Sequence, residues 1–349
     1  MKDIDIHTVL QTTDLSIGYE GRSGPAKVVA DDIDVALHAG ELVCLLGPNG
    51  SGKSTLIKTL AGMHAPLGGS IRLFGDGVQK LTPKQIAQKL STVLTDRITI
   101  GNLDVFTLIS FGRSPYTGWL GSLREEDRKV IEWAIEATGL RPLVHRDIAT
   151  LSDGERQKVM IARALAQDTD LILLDEPTAH LDLPNRVEIM RLLRKLAAET
   201  GKGILLSTHE LDLALKAGDR CWLMNDERQL FTGVPEDLVL NGTFENVFQR
   251  ESFDFDRATG SFNLHQPDDK RVSVSGDTVG TFWTKRALQR EGFAISSEEP
   301  LNYSVKVKAE NNGYIWQNQK GKSDETIQSV AELIKNLRAI NSSRSGALE

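Results

Sequence analysis

The chain is 349 residues long, 40% hydrophobic and 26% charged, with a formal net charge of −7, a make-up that suits a soluble protein with room for two domains. The acidic balance argues against a nucleic-acid binder: residues 1–249 carry 27 basic and 34 acidic side chains and residues 250–349 carry 14 of each, with no run of Lys and Arg interleaved with aromatics. No apolar run approaches the roughly 18 to 20 residues that cross a bilayer, so a membrane role would come through a partner, and an N-terminus with Asp3, Asp5 and Asp14 and no signal-like apolar stretch argues for a cytoplasmic chain.

In chain order, strand-like stretches at 15–19, 33–37 and 42–46 predict an antiparallel sheet leading into a buried core strand. Gly47-Pro48-Asn49-Gly50-Ser51-Gly52-Lys53-Ser54-Thr55 follows directly. This is a phosphate loop: its glycines let backbone N–H groups crowd around phosphates, Lys53 reaches the outer phosphates, and the Ser54 hydroxyl can ligate Mg²⁺. A helix is predicted over residues 53–60, with Leu56, Ile57 and Leu60 on one face and Gly62 as its stop. Residues 104–147 read as mostly helical, broken at Gly112-Arg113-Ser114-Pro115. Leu151-Ser152-Asp153-Gly154-Glu155 opens another helix, where Ser152 and Glu155 fit a capping box. Strands at 171–175, 204–208 and 221–224 alternate with helices near 184–199 and 210–217, the pattern of a parallel sheet covered by helices. Asp175 and Glu176 end the first of these strands, where ligand crevices form in open α/β sheets. Asp175 is expected to partner Mg²⁺, and Glu176 to be the general base that polarises the water attacking a γ-phosphate. Cys44 and Cys221 lie in apolar strands, which suits buried reduced thiols rather than a disulfide or metal site.

The composition shifts after about residue 245. Residues 251–262 are polar, Phe-rich and aperiodic, and read as a linker. A small α/β unit follows, with a helix at 279–290 and a strand at 303–308 in which Tyr303, Val305 and Val307 alternate with Ser304, Lys306 and Lys308. Asn312-Gly313 signals a hairpin turn into 314–317. A last helix is expected to carry Ile327, Val330, Leu333, Ile334 and Leu337, with a tail that frays after Ile340.

The phosphate loop, the segment Leu151 to Glu155, the strand ending in Asp175-Glu176 and then His209, in that order, resemble an ATP-binding cassette over residues 12–245. The resemblance is strongest to the ATPase subunits of importers for iron chelates, haem and vitamin B12, which share Gly112-Arg113-x-Pro115-Tyr116 and Ala179-His180-Leu181-Asp182. It implies an α/β P-loop NTPase fold with a parallel sheet core, an antiparallel β subdomain and a helical subdomain. The domains expected are residues 1–245, the ATPase, and 246–349, a small regulatory or dimer-stabilising α/β domain. ATP and Mg²⁺ are the implied ligands. A homodimer, integral membrane permease subunits and, indirectly, a periplasmic or surface substrate-binding protein are the implied partners, placing the chain on the inner face of the cell membrane.

Carried over residue by residue, the resemblance puts adenine on Tyr19, whose ring supplies a π-face, and phosphates on Gly47 through Thr55. Lys53, Glu176 and His209 take catalytic roles, with His209 at the γ-phosphate. Ser152 and Gly154 cover the γ-phosphate bound by the other copy, at a helix N-terminus. Asp182 lies in the loop that communicates across the dimer, and Ser54, Asp96 and Asp175 serve Mg²⁺. Two departures stand out: Asp96 occupies a position where the family has Gln, and Asp153 and Glu155 replace the signature's usual Gly and Gln. A carboxylate at 153 favours the helix locally yet repels a docking phosphate. A soluble non-transport cassette ATPase is the alternative, although the chain lacks the coiled-coil or zinc-binding insertions or second cassette of such proteins. Glu176 and His209 argue against a non-hydrolytic clamp. The transported substrate is not legible in these motifs.

Overall fold

The computed structural model describes residues 7–21, 25–94, 103–118, 121–248, 253–257, 260–264, 271–296, 304–310, 313–320 and 323–345. The chain divides into two compact units, residues 1–248 and 249–349.

The first unit begins with β1 (Thr8–Tyr19), which pairs antiparallel with β2 (Lys27–Ile33) and β3 (Ala36–His38). The expected strand at 33–37 is thus split between β2 and β3. The reason is the buried Thr12 hydroxyl, which donates to Ile33 O at 2.7 Å and accepts from the Val35 amide at 3.0 Å, meeting the backbone's needs where the chain changes strand. Next come β4 (Leu42–Leu46) and α1 (Lys53–Leu60), as predicted, with Gly62 left-handed beyond the helix at φ 72°. After β5 (Gly68–Leu73) and β6 (Asp76–Gly77), which complete the antiparallel sheet, α2 (Pro83–Lys89) leads into β7 (Leu90–Val93).

A helical layer is built from α3 (Val105–Ser110), α4 (Glu125–Ala137) and α5 (Asp153–Ala166), α5 packing against both of the others. Arg113 is its internal tie. Its Nε donates to Asp127 Oδ1 at 2.8 Å, both side chains being buried, and its Nη1 donates to Ala166 O at the end of α5. The guanidinium also lies 4.1 Å from the centre of the Tyr116 ring. The Gly-Arg-x-Pro-Tyr stretch therefore holds this layer together.

The chain then returns through β8 (Leu171–Asp175), α6 (Leu183–Thr200), β9 (Gly203–Ser207), α7 (Leu211–Ala217), β10 (Arg220–Met224) and β11 (Leu230–Gly233). The main sheet has the order β11-β10-β4-β9-β8-β7, parallel except for β11. Every residue of β4, β8 and β9 is buried, as the uninterrupted apolar runs of a sheet covered on both faces require. Cys44 and Cys221 face each other in the β4–β10 register, reduced and buried. Helices α8 (Pro235–Leu240) and α9 (Thr243–Phe248) close the unit, α9 burying Phe244 and Val247.

The second unit departs more from expectation. Within residues 251–262, read as a linker, lie β12 (Phe253–Asp256) and the start of β13 (Ser261–Leu264), which form an antiparallel pair. Then β14 (Arg271–Gly276), α10 (Thr278–Arg290), β15 (Ala294–Ile295), β16 (Ser304–Glu310), β17 (Gly313–Lys320), β18 (Ser323–Ile327) and α11 (Val330–Ser345) form a five-stranded sheet with two helices, in the order β15-β14-β16-β17-β18. Gly313, expected in the turn, is a ladder residue opposite Glu310. Ile327, expected on the last helix, ends β18 opposite Trp316, and α11 continues past Ile340 to Ser345. Ile327 and Leu333 share a core with Val272, Val305 and Leu288, which explains the misreading: strand end and helix face point into the same interior. Among the described residues, no helix is long and apolar enough to cross a membrane.

Candidate functional site: a nucleotide groove and a separate signature surface

The phosphate loop joins β4 to α1. Tyr19, Asn49 through Thr55 and Glu176 line one groove of about 550 Å³, together with Lys27, Val28 and Val29 of β2 and Asn225, Asp226 and Arg228 from the β10–β11 turn. Gly52 sits at φ 108°, and a Cβ there would lie 2.3 Å from Val29 Cγ1, so the loop's passage under β2 requires glycine. Tyr19 is 49% exposed, leaving its ring available, while its hydroxyl is anchored to Thr55 Oγ1 at 2.9 Å. Gly47 and Pro48 form the entry of the loop, and their carbonyls accept from Lys53 Nζ at 2.8 and 3.0 Å. Burial pushes the Lys53 ammonium below its ordinary pKa, against the opposing pull of Glu176 and Asp175.

Behind the loop, Ser54 Oγ donates to Asp175 Oδ1 at 3.0 Å. The same oxygen accepts from Ser207 Oγ at 2.7 Å, and the Glu176 amide donates to Ser207 Oγ at 2.9 Å. Glu176 has a φ of 51°, uncommon for a residue with a side chain. Its Oε1 is hydrogen-bonded to His209 Nε2 at 2.5 Å. Ser54, Asp175, Glu176 and His209 are thus one connected cluster at the C-terminal edge of the sheet.

The donor chemistry fits a nucleoside triphosphate with a hard cation. Ser51 Oγ is buried in the loop without a hydrogen-bond partner, a hydroxyl left for an outside acceptor. The Ser54 hydroxyl and Asp175 carboxylate are oxygen donors of the kind Mg²⁺ takes, one or two from protein and the rest from phosphate and water. Among the described residues no cluster of three or more His, Cys, Asp or Glu could cage a metal alone.

The predicted signature residues lie elsewhere, and none of Ser152, Gly154 or Asp182 lines the groove. Ser152 caps α5 by the capping box: its hydroxyl accepts from the Glu155 amide at 3.3 Å, and Glu155 accepts from the Ser152 amide at 2.8 Å. The Ser152 amide and the Ser152 hydroxyl, which also donates to Glu155 Oε2 at 2.9 Å, hold the Glu155 carboxyl below its ordinary pKa. Asp182 caps α6, accepting from the Asn185 amide and side chain. Asn185 in turn presses on Gly154, where a Cβ would lie 2.6 Å from its Oδ1, so Ser152, Gly154 and Asp182 form a second, contiguous surface. Asp96 lies outside the described residues. Sequence reasoning missed Ser207, Lys27 and Arg228; the only signal for Ser207 was a polar residue closing an apolar strand.

Two family models match the chain, ABC transporter over residues 30–179 and iron ABC transporter C-terminal domain over residues 269–338. An uncharacterized ABC transporter ATP-binding protein of Methanocaldococcus jannaschii, MJ0873, is 37% identical over 256 residues, 73% of this chain and 87% of that protein. The chain belongs to the ATP-binding cassette transporter ATPases. Iron(3+)-hydroxamate import ATP-binding protein FhuC of Bacillus subtilis is 36% identical over 69% of this cassette chain and 87% of its own length. The cobalamin import ATP-binding protein BtuD of Halobacterium salinarum is 34% identical over 72% of this chain and 62% of its own. Among solved cassettes, cbiO1 of Clostridium perfringens, part of the complex cbiONQ, superposes with a TM-score of 0.60 at 26% identity, covering 69% of this chain and 94% of that one. The dimeric bacterial cassette MJ0796 gives 0.55 at 26% identity, covering 62% and 94%. The protein is an ATP-binding ATPase of this family.

Proposed function

We propose that this ATPase drives an importer for an iron chelate or a corrinoid, working from the inner face of the membrane on permease subunits that a substrate-binding protein loads. The relatives named for iron-hydroxamate and cobalamin import support this substrate class, and the match of residues 269–338 to an iron transporter C-terminal domain favours the iron complex. The first unit is the ATPase domain and the second an accessory domain.

The observation that carries the mechanism is the connected cluster Ser54, Asp175, Glu176 and His209. Tyr19 stacks on adenine, and Gly47 through Thr55 wrap the phosphates with backbone N–H groups while Lys53 turns from its loop carbonyls to the outer phosphates. Ser54 and Asp175 would hold Mg²⁺, and Asp96 is the further oxygen donor that the sequence suggests; when bound, the ion would neutralise charge on the outer phosphates. Glu176 accepts the proton of the attacking water, and His209 holds Glu176 and meets the γ-phosphate. Because Ser152, Gly154 and Asp182 sit apart from the groove, a second copy supplies them over the bound ATP, which makes the working unit a homodimer with two nucleotides between the subunits. Glu176→Gln should keep ATP binding, lose nearly all hydrolysis and accumulate as an ATP-bound dimer in size-exclusion chromatography. Hydrolysis at the wild-type rate would refute Glu176 as the base, and stimulation of the permease complex by one chelate over others would name the cargo.

A further inference from the structure

We propose that Ser207 is a positioning residue that ties the metal side of the site to its base side. The inference rests on the reading of Asp175 as the Mg²⁺ partner and Glu176 as the base. Ser207 ends β9, directly opposite Asp175 in the parallel ladder, and is fully buried. The polarity of its hydrogen bonds is fixed by its neighbours. A carboxylate only accepts, so the Ser207 hydroxyl donates to Asp175 Oδ1 at 2.7 Å; an amide only donates, so the same oxygen accepts from Glu176 N at 2.9 Å. Asp175 Oδ1 is also the atom that Ser54 reaches, so Ser207 orients the oxygen at which the metal-binding groups converge. Its second bond grips the amide of a residue at φ 51°, a conformation that persists only where the surroundings over-determine it. One hydroxyl thus sets both the metal-binding oxygen and the direction in which Glu176 leaves the strand towards His209.

Ser207→Thr and Ser207→Val in the full chain give nearly the same shape and differ by the hydroxyl. The valine variant should turn over ATP about tenfold more slowly than the threonine variant at a similar KM, and its ADP complex should bind Mn²⁺, followed by electron paramagnetic resonance, about tenfold more weakly, the scale typical of an outer partner to a metal ligand. Equal kcat and equal Mn²⁺ affinity in the two variants would overturn the proposal. So would a loss in valine that tracks a lowered unfolding temperature and leaves Mn²⁺ affinity unchanged, since that is a packing effect. Glu176→Gln assayed alongside separates the two levels: wild-type hydrolysis there would remove the underlying assignment, whereas its loss with Thr and Val alike would remove Ser207 alone.

Discussion

Lys53 is held by its own loop, its ammonium bonded to two backbone carbonyls and partly desolvated. Those bonds serve the loop alone, so Lys53→Ala should leave the fold intact and weaken ATP binding by about ten- to a hundredfold, the worth of one charge-assisted hydrogen bond; an unchanged dissociation constant would show that Lys53 never leaves its carbonyls. Asp153 is the residue whose chemistry conflicts with its place. Its carboxylate is well exposed and lies 3.5 Å from Arg156 Nη1, a surface pair that contributes little, so a docking phosphate still meets its charge. Asp153→Gly should strengthen ATP-induced dimerisation and raise basal turnover, and a fall in both would show that the carboxylate serves only the helix. The motif residues of the site were legible because each motif is local: phosphate loop, strand end and helix cap are read within a few residues. Ser207 and Arg228 were not, because one acts through the β8–β9 register and the other through a turn brought beside the loop, and neither pairing is written in the neighbouring residues.

At the scale of elements, the Arg113–Asp127 pair decides whether the helical layer stays assembled. Desolvation pushes the Asp127 carboxyl up, but the Arg124 amide and the Arg113 guanidinium outweigh it, and the net shift is down from 3.8. A depressed carboxyl pKa stabilises the fold above the unfolded value and loses that contribution as pH falls through the folded one. Asp127→Asn leaves Arg113 buried without its counter-charge and should cost about 3 to 5 kcal/mol near neutral pH. The gap from wild type should narrow below about pH 4 in chemical denaturation, and a gap independent of pH would show that charge plays no part. Strands β4 and β8 and helix α1 were read to the residue because apolar run, turn and helix start coincide there. The region 33–37, Gly313 and Ile327 were misread because strand breaks and strand–helix boundaries there depend on partners distant in sequence: Thr12 for the first, Glu310 for the second, Trp316 for the third.

For the whole molecule, the division after Phe248 gives a direct test of autonomy. Helix α9 packs on β10 and buries Phe244 fully. A chain of residues 1–248 should be soluble and bind ATP, whereas one ending at 242 should lose about 3 to 5 kcal/mol from the missing aromatic anchor alone, measurable by thermal unfolding with and without nucleotide. An insoluble 1–248 chain would make the second unit part of the ATPase core. The parallel sheet and the existence of a second α/β unit were legible from alternating patterns, but β12, β14 and β18 were not, since short polar strands acquire their identity only from the neighbours that pair with them.

The contact of Asn185 with Gly154 links the start of α5, the surface assigned to the proposed dimer, to the loop that leaves Glu176. In the proposed dimer, a change that ATP makes in that loop is expected to alter what the chain presents to the opposite nucleotide, coupling the two halves. In dimers mixed from wild-type and Lys53→Ala chains, turnover per wild-type site should fall well below that of the wild-type dimer; an unchanged rate per site would mean that each half keeps its own time.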